Sequence, residues 1–253
     1  MNFIERNYNV FYNNFDFESY THFIKVCFVV MLFYPILNFT LDRFDKYNSL
    51  PHRNKVYIIK NLIKTTIMFY ITFELFNFIL PNIIFRNNWD DKILRYYGGF
   101  YVANDIIGLL MVPKLPYTTK FHHITTLLLY TISCYVSFKN KTVKMLFFYT
   151  LFSCIPFLVN LFLAIRFFHT KGDKLTYHEE NINSVIDLCR IISYNVYNLT
   201  CIINWSIHII YFTNCFYYYN FGLGELLYTI ILMPIVNDDL ILLSWLKDKK
   251  YNL

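Results

Sequence analysis

YVANDIIGLLMVPKLPYTTKFHHITTLLLY, residues 101–130, holds an acid and a histidine pair within apolar sequence. Asp105 lies in one apolar run, and His122 and His123 sit side by side where the next begins. Ionisable side chains are costly inside a bilayer, so those kept there mark functional sites by default. Adjacent residues on a helix point about 100° apart. The two imidazoles therefore cannot face one point unless the helix begins irregularly; one can act while the other orients or binds.

The rest of the chain supplies the apolar setting. Of 253 residues, 56% are hydrophobic and 21% aromatic, with a mean hydropathy of +0.35. Charged residues are 16%, below the roughly 25% of a soluble domain. A water-soluble core of this size could not hide so much apolar surface. The expected class is all-α: a polytopic membrane helical bundle around a membrane-embedded cavity. About seven segments are long enough to cross, at roughly 23–41, 62–85, 97–113, 122–138, 143–168, 185–212 and 225–246. The third and fourth are short and polar, so they are expected to be enclosed by the others. Asn237, Asp238 and Asp239 interrupt the seventh. Either it runs through them and turns the acids inward, or it ends near 236 and leaves them solvated.

The net charge of +6 is not a nucleic-acid signal, because Lys and Arg cluster between apolar runs. Arg43, Lys46, Arg53, Lys55 and Lys60 fall in the first loop, Lys114 and Lys120 in the third, and Lys171 and Lys174 in the fifth. Lys247, Lys249 and Lys250 fall in the tail. Arg6, Arg86, Lys92, Arg95, Lys139, Lys141 and Lys144 lie opposite. This bias predicts a lumenal N-terminus and a cytosolic C-terminus. The first 20 residues lack the pattern of a cleavable signal peptide, so the first span is expected to act as an uncleaved anchor. Six scattered cysteines read as small buried hydrophobes rather than disulfides or zinc ligands.

Three polar stripes are candidates for a cavity lining. His123, Thr126, Tyr130, Ser133 and Ser137 share one helical face, as do Tyr97, Tyr101, Asp105 and Gly108. Asp187, Arg190, Tyr194, Asn198 and Cys201 form a third, with His208 beyond. Asp187 and Arg190, three residues apart, can neutralise each other. Glu74 is a further lone acid. Hydroxyl stripes also serve as ordinary glue between membrane helices. One HH pair among seven scattered histidines does not make the spaced boxes of a di-iron enzyme, so no metal is expected. GxSxG, P-loop and GxGxxG motifs are absent, and no bound cofactor is implied.

An Asp in one apolar span, a Pro-containing link, then HHITT opening the next resembles the TLC-domain family of ceramide-synthase-like membrane proteins. RNKVYIIKNLIKTTIMF (53–69) resembles its domain entry, and Arg190, Asn237, Trp245 and Lys247 fit the pattern loosely. The resemblance covers about residues 50–250; residues 1–49 form an N-terminal segment with the first span. It implies that His122 and His123 match the paired histidines of the ceramide synthases, which move an acyl group from acyl-CoA to a sphingoid-base amine. An imidazole there removes a proton or carries the acyl group, and Asp105 would hold its tautomer.

The chain departs from those synthases in one respect. They carry a strongly acidic segment in the span after the His pair, where FFYTLFSCIPFLVNLFLAIRFF (147–168) has no acid, and Phe152 stands where many smaller members carry a Glu. The resemblance therefore favours the smaller lipid-regulating members. The expected role is membrane lipid homeostasis by binding, handling or modifying lipids; N-acyl transfer with His122, His123 and Asp105 as catalytic residues is the alternative. Tyr101, Thr126, Tyr130, Arg190, Tyr194 and Asn198 are the expected substrate contacts. Membrane lipids are the expected partners, with acyl-CoA as a co-substrate, no nucleic acid, and room for an oligomer. The KKYNL tail (249–253) lies one residue out of register for a di-lysine retrieval signal, which points faintly to the endoplasmic reticulum.

Overall fold

A computed structural model describes residues 15–169, 176–219 and 222–248. Arg6, Lys171, Lys174, Lys249, Lys250 and the KKYNL tail, used above for topology and location, lie outside the described residues. Every regular element among the described residues is helical.

Helix α1 (Phe17–Leu41) starts where Asp16 caps the Ser19 N–H, and it contains Pro35. A short turn of helix, α2 (Asp45–Asn48), leads to α3 (His52–Glu74), which begins after Pro51. α3 continues through a π-helical turn (Leu75–Ile79) into α4 (Leu80–Arg86), which Asn87 closes in the left-handed conformation at φ 47°. This unit of 35 residues (His52–Arg86) is about 52 Å long at 1.5 Å per residue. It outruns a hydrocarbon core of about 30 Å, so its polar first turns belong to the helix and not to a loop. Lys60, placed in the first loop by its charge, is a buried residue of α3.

Helices α5 (Asp91–Met111) and α6 (Tyr117–Ser133) carry the sequence quoted at the outset. α5 packs against α1, α3 and α6, and α6 also packs against α10. Gly99 allows the close approach of α1 and α6: a Cβ there would lie 3.1 Å from the Tyr130 hydroxyl and 3.5 Å from Phe23 Cβ. α7 (Lys141–Cys154) and α8 (Leu158–Ile165) meet at a 44° bend beside Pro156, and a 3₁₀ turn (Arg166–Phe168) follows. α9 (Tyr177–Asn214) opens on a capping box of Thr176 and Glu179 and ends in a π-helical turn (Cys215–Tyr219). α10 (Leu223–Lys247) contains Pro234.

Four helical units are long and apolar enough to cross a membrane: Phe17–Leu41, His52–Arg86, Glu179–Tyr217 and Gly224–Lys247. The bent α7–α8 pair makes a fifth if taken as one span. Their outward faces carry Phe28, Leu32, Phe39, Phe76, Ile209 and Met233, all largely exposed. Exposed apolar area on that scale marks a surface made for lipid rather than water. Of the seven expected spans, four, or five with the bent pair, meet that length and apolarity among the described residues. α6 is 17 residues long and holds two histidines and five threonines, while α5 holds Asp91, Lys92, Arg95 and Asp105. Their polar side chains are needed inside the bundle, so neither is apolar enough alone. α10 runs unbroken through Asn237–Asp239, burying Asp239 and half-burying Asp238 while Asn237 is exposed.

Candidate functional site

The site forms where α3, α5, α6 and α10 meet. α6 begins after Pro116, which places His122 and His123 in its second turn. As adjacent helical residues they diverge. His123 turns toward α5, with Nδ1 3.2 Å from Asp105 Oδ2. His122 turns toward α10, with Nδ1 3.4 Å from Asp238 Oδ2. The two rings stand nearly perpendicular with centroids 5.6 Å apart.

Asp105 is fully buried and heavily loaded. Its Oδ1 accepts from the Lys64 ammonium at 2.6 Å. Its Oδ2 and the facing His123 Nδ1 are close but out of line for a hydrogen bond. On the far side of the ring, Lys60 Nζ lies 3.2 Å from His123 Nε2. A proton on Nδ1, facing the carboxylate, leaves Nε2 to accept from Lys60. Gly108 makes this possible: a Cβ there would sit 2.7 Å from Lys60 Cε, so only glycine lets the lysine stem lie flat on α5.

Around His122 the contacts are looser. Thr119 donates to Asp238 Oδ1 at 3.3 Å. Next to it, Asp239 accepts from the Tyr197 hydroxyl at 2.7 Å and from the Tyr149 hydroxyl through a short hydrogen bond. Asp105, His122 and His123 each offer a ligand atom, all within 4.8 Å of one another. The imidazoles thus point to different partners yet keep one ring nitrogen each within reach of a common point. These three could hold a cation as an open three-ligand site. Lys60 and Lys64, however, already place positive charge on two of the three groups.

Two recesses meet here. One is a narrow apolar slot walled by Ile71, Leu75, Leu129, Leu146, Phe147 and Ile235. The other is a wider cleft of about 320 Å³ that carries Lys60, Lys64, Arg166, Asp238, Asp239 and Trp245. Tyr101, His122 and Ser153 line both. The Arg166 guanidinium rests over Trp245 at 4.5 Å and Tyr57 at 5.3 Å.

The structure divides the expected substrate contacts. Tyr101, Thr126 and Tyr130 line the slot, though Thr126 donates to the His123 carbonyl and Tyr130 to the Ser19 carbonyl. Arg190, Tyr194 and Asn198 do not line the cleft. Arg190 donates to the Leu246 carbonyl at 3.1 Å and lies 3.7 Å from Asp187, so it ties α9 to the end of α10. Tyr194 packs with Leu243 and Leu246, and Asn198 is half-buried one turn further on. That face of α9 turns to the wrong neighbour; Tyr197, one position away, is the residue that reaches the site. Glu74 accepts from Tyr97 at 3.1 Å, on the slot side.

Sequence reasoning missed Lys60 and Lys64 as site residues. The signal was present in Tyr57, Lys60, Asn61, Lys64 and Met68, all cleft-lining at spacings of three or four. Counting charge places Lys60 in a loop, and Lys64 falls within the second apolar segment, 62–85, without marking itself as a site residue. Tyr149, Tyr197 and Arg166 carry no such signal. Comparison with protein-family models, curated proteins and solved structures finds no match for this chain.

Proposed function

We propose that this protein is a polytopic membrane protein of the TLC type that binds and handles a membrane lipid, with α5 and α6 as short inner spans among about seven. The observation that carries this reading is the position of His122, where the apolar slot opens into the cationic cleft. A hydrocarbon chain suits the apolar wall of the cleft at Met68, Val159, Leu163 and Leu242, and a polar or anionic head suits Lys60, Lys64 and Arg166. Apolar walls with a few convergent polar groups are the usual form of a small-molecule site.

A second reading is favoured by one further observation, the His122–Asp238 pair. Asp238 Oδ2 faces Nδ1 at 3.4 Å, on the side where a carboxylate would favour the tautomer that leaves Nε2 as a base. His122 would then remove a proton from a sphingoid-base amine as it attacks the carbonyl of acyl-CoA. The amide C–N bond forms, the C–S bond breaks, and the proton passes from His122 to the departing thiolate.

Lipidomics separates the two. Wild type and a His122→Ala/His123→Ala variant are expressed at matched levels in cells lacking their own ceramide synthases. Ceramide restored by the wild type alone supports acyl transfer. No ceramide, but a shift in phospholipid composition, leaves lipid handling. No lipid change from either protein overturns both.

A further inference from the structure

Lys60 is the one buried cation of the site without a carboxylate among the described residues. It is 5% exposed, it lines the cleft, and its ammonium meets only His123 Nε2, at 3.2 Å. Beyond the ring stands Asp105, with Oδ2 3.2 Å from His123 Nδ1. Lys64 does not share this arrangement, because it is bound to Asp105 Oδ1 at 2.6 Å. Lys60, His123 and Asp105 thus form a chain of nucleophile, base and orienting acid. That is the geometry by which an enzyme frees a nucleophile from its proton, here with an amine at the head of the chain.

We propose that Lys60 is a nucleophilic amine that captures long-chain carbonyl lipids, of the fatty-aldehyde class, as a reversible imine. His123 takes a proton from the Lys60 ammonium, and Asp105 steadies the resulting imidazolium. The amine attacks the aldehyde carbon, a C–N bond forms, and the carbonyl oxygen becomes the hydroxyl of a carbinolamine. His123 returns its proton to that hydroxyl, which leaves as water, and the nitrogen lone pair closes the C=N bond. No oxidant or reductant enters. An aldehyde suits Lys60 better than an acyl donor would, because a lysine amide does not turn over whereas an imine hydrolyses. A long chain suits the cleft of about 320 Å³ that holds Lys60, where Met68, Val159, Leu163 and Leu242 supply apolar wall. The proposal uses the cleft and not the acyl-transfer reading, so either can fail without the other.

The test is imine trapping on the full chain in lipid nanodiscs, with hexadecanal and sodium borohydride, read by peptide mass spectrometry. Lys92 is the internal reference, since its side chain is 66% exposed. Lys60 should be labelled in preference to Lys92 by hexadecanal, and the preference should vanish with acetaldehyde, which has no chain for the apolar wall of the cleft. His123→Gln should slow Lys60 labelling roughly a hundredfold, the scale of a lost general base, and leave Lys92 unchanged. Lys60→Arg should abolish the adduct at that site with Lys92 labelling intact. Equal labelling of Lys60 and Lys92 by hexadecanal in the wild type overturns the proposal, whatever the variants do. So does a His123→Gln protein that labels at the wild-type rate.

Discussion

Two imidazole–carboxylate pairs stand side by side on α6, and their surroundings separate them. The His123–Asp105 pair lies between α3, α5 and α6, with side chains 3% and 0% exposed and a lysine on each partner. The His122–Asp238 pair lies between α6 and α10, at 11% and 17%, with only Thr119 in support. His123 has Nε2 on Lys60 and Nδ1 facing Asp105 at 3.2 Å. His122 keeps Nε2 without a hydrogen-bond partner among the described residues, at the junction of slot and cleft. The same two residue types, one position apart, have become an inner pair in contact with Lys60 and an outer one that lines the cleft. What distinguishes them is the packing of α3 against α5.

The sharpest way to break this comparison is to remove each carboxylate in turn. Asp105→Ala leaves the Lys64 ammonium buried without its counter-charge, and such losses cost about 3–5 kcal/mol. Asp238→Ala removes a half-buried acid beside a neutral or water-accessible imidazole, and about 1 kcal/mol or less is expected. Thermal unfolding of both variants in the same detergent checks the difference. Equal melting temperatures would mean that Asp105 is no more committed to the fold than Asp238.

A smaller effect is expected at Gly108, which probes the inner pair without touching a charge. An alanine methyl 2.7 Å from Lys60 Cε must push the lysine stem off α5. Overpacking of this kind costs about 1–3 kcal/mol. The displaced ammonium should leave His123, so Gly108→Ala should reduce hexadecanal trapping at Lys60 and spare the His122 side. Unchanged stability together with unchanged trapping would show that Lys60 reaches its position by another route.

The outer shell was legible in the sequence because lipid-facing helices need little more than length and apolarity. α1 and the His52–Arg86 unit announce themselves that way, and 72–83% of their apolar windows remains unburied. Asp105 and the histidine pair were legible for the opposite reason, since charge inside apolar sequence demands a partner. The partners themselves were not. Lys60 and Lys64 lie in a segment whose basic residues count equally well as a loop, and only the unbroken length of α3 moves them inside. Asp238 was visible as an acid, but its pairing with His122 depends on how α10 crosses α6, which no local pattern encodes. Arg190, Tyr194 and Asn198 lie outside the cleft lining because a helical stripe fixes a face and not the neighbour it meets.

The smallest effect concerns a third ion pair, at the other end of α5, where both partners are only partly covered. Arg95 donates to Asp16 Oδ2 at 2.8 Å and to the Ser133 carbonyl at 2.7 Å. Partial burial pushes the Asp16 carboxyl up, but the Ser19 N–H and hydroxyl and the Arg95 guanidinium outweigh it and hold it below its ordinary 3.8. A carboxyl whose folded value is depressed binds its proton more tightly in the unfolded chain. Its contribution to stability is therefore complete above the unfolded value and disappears as pH falls through the folded one. Asp16→Asn removes that dependence while keeping a side-chain oxygen for the helix cap. Melting temperatures of wild type and Asp16→Asn should differ most near neutral pH and converge between roughly pH 4 and pH 2. A gap that stays constant over that range would show that Asp16 holds α1 to α5 through its cap alone, and that Arg95 is anchored by the Ser133 carbonyl.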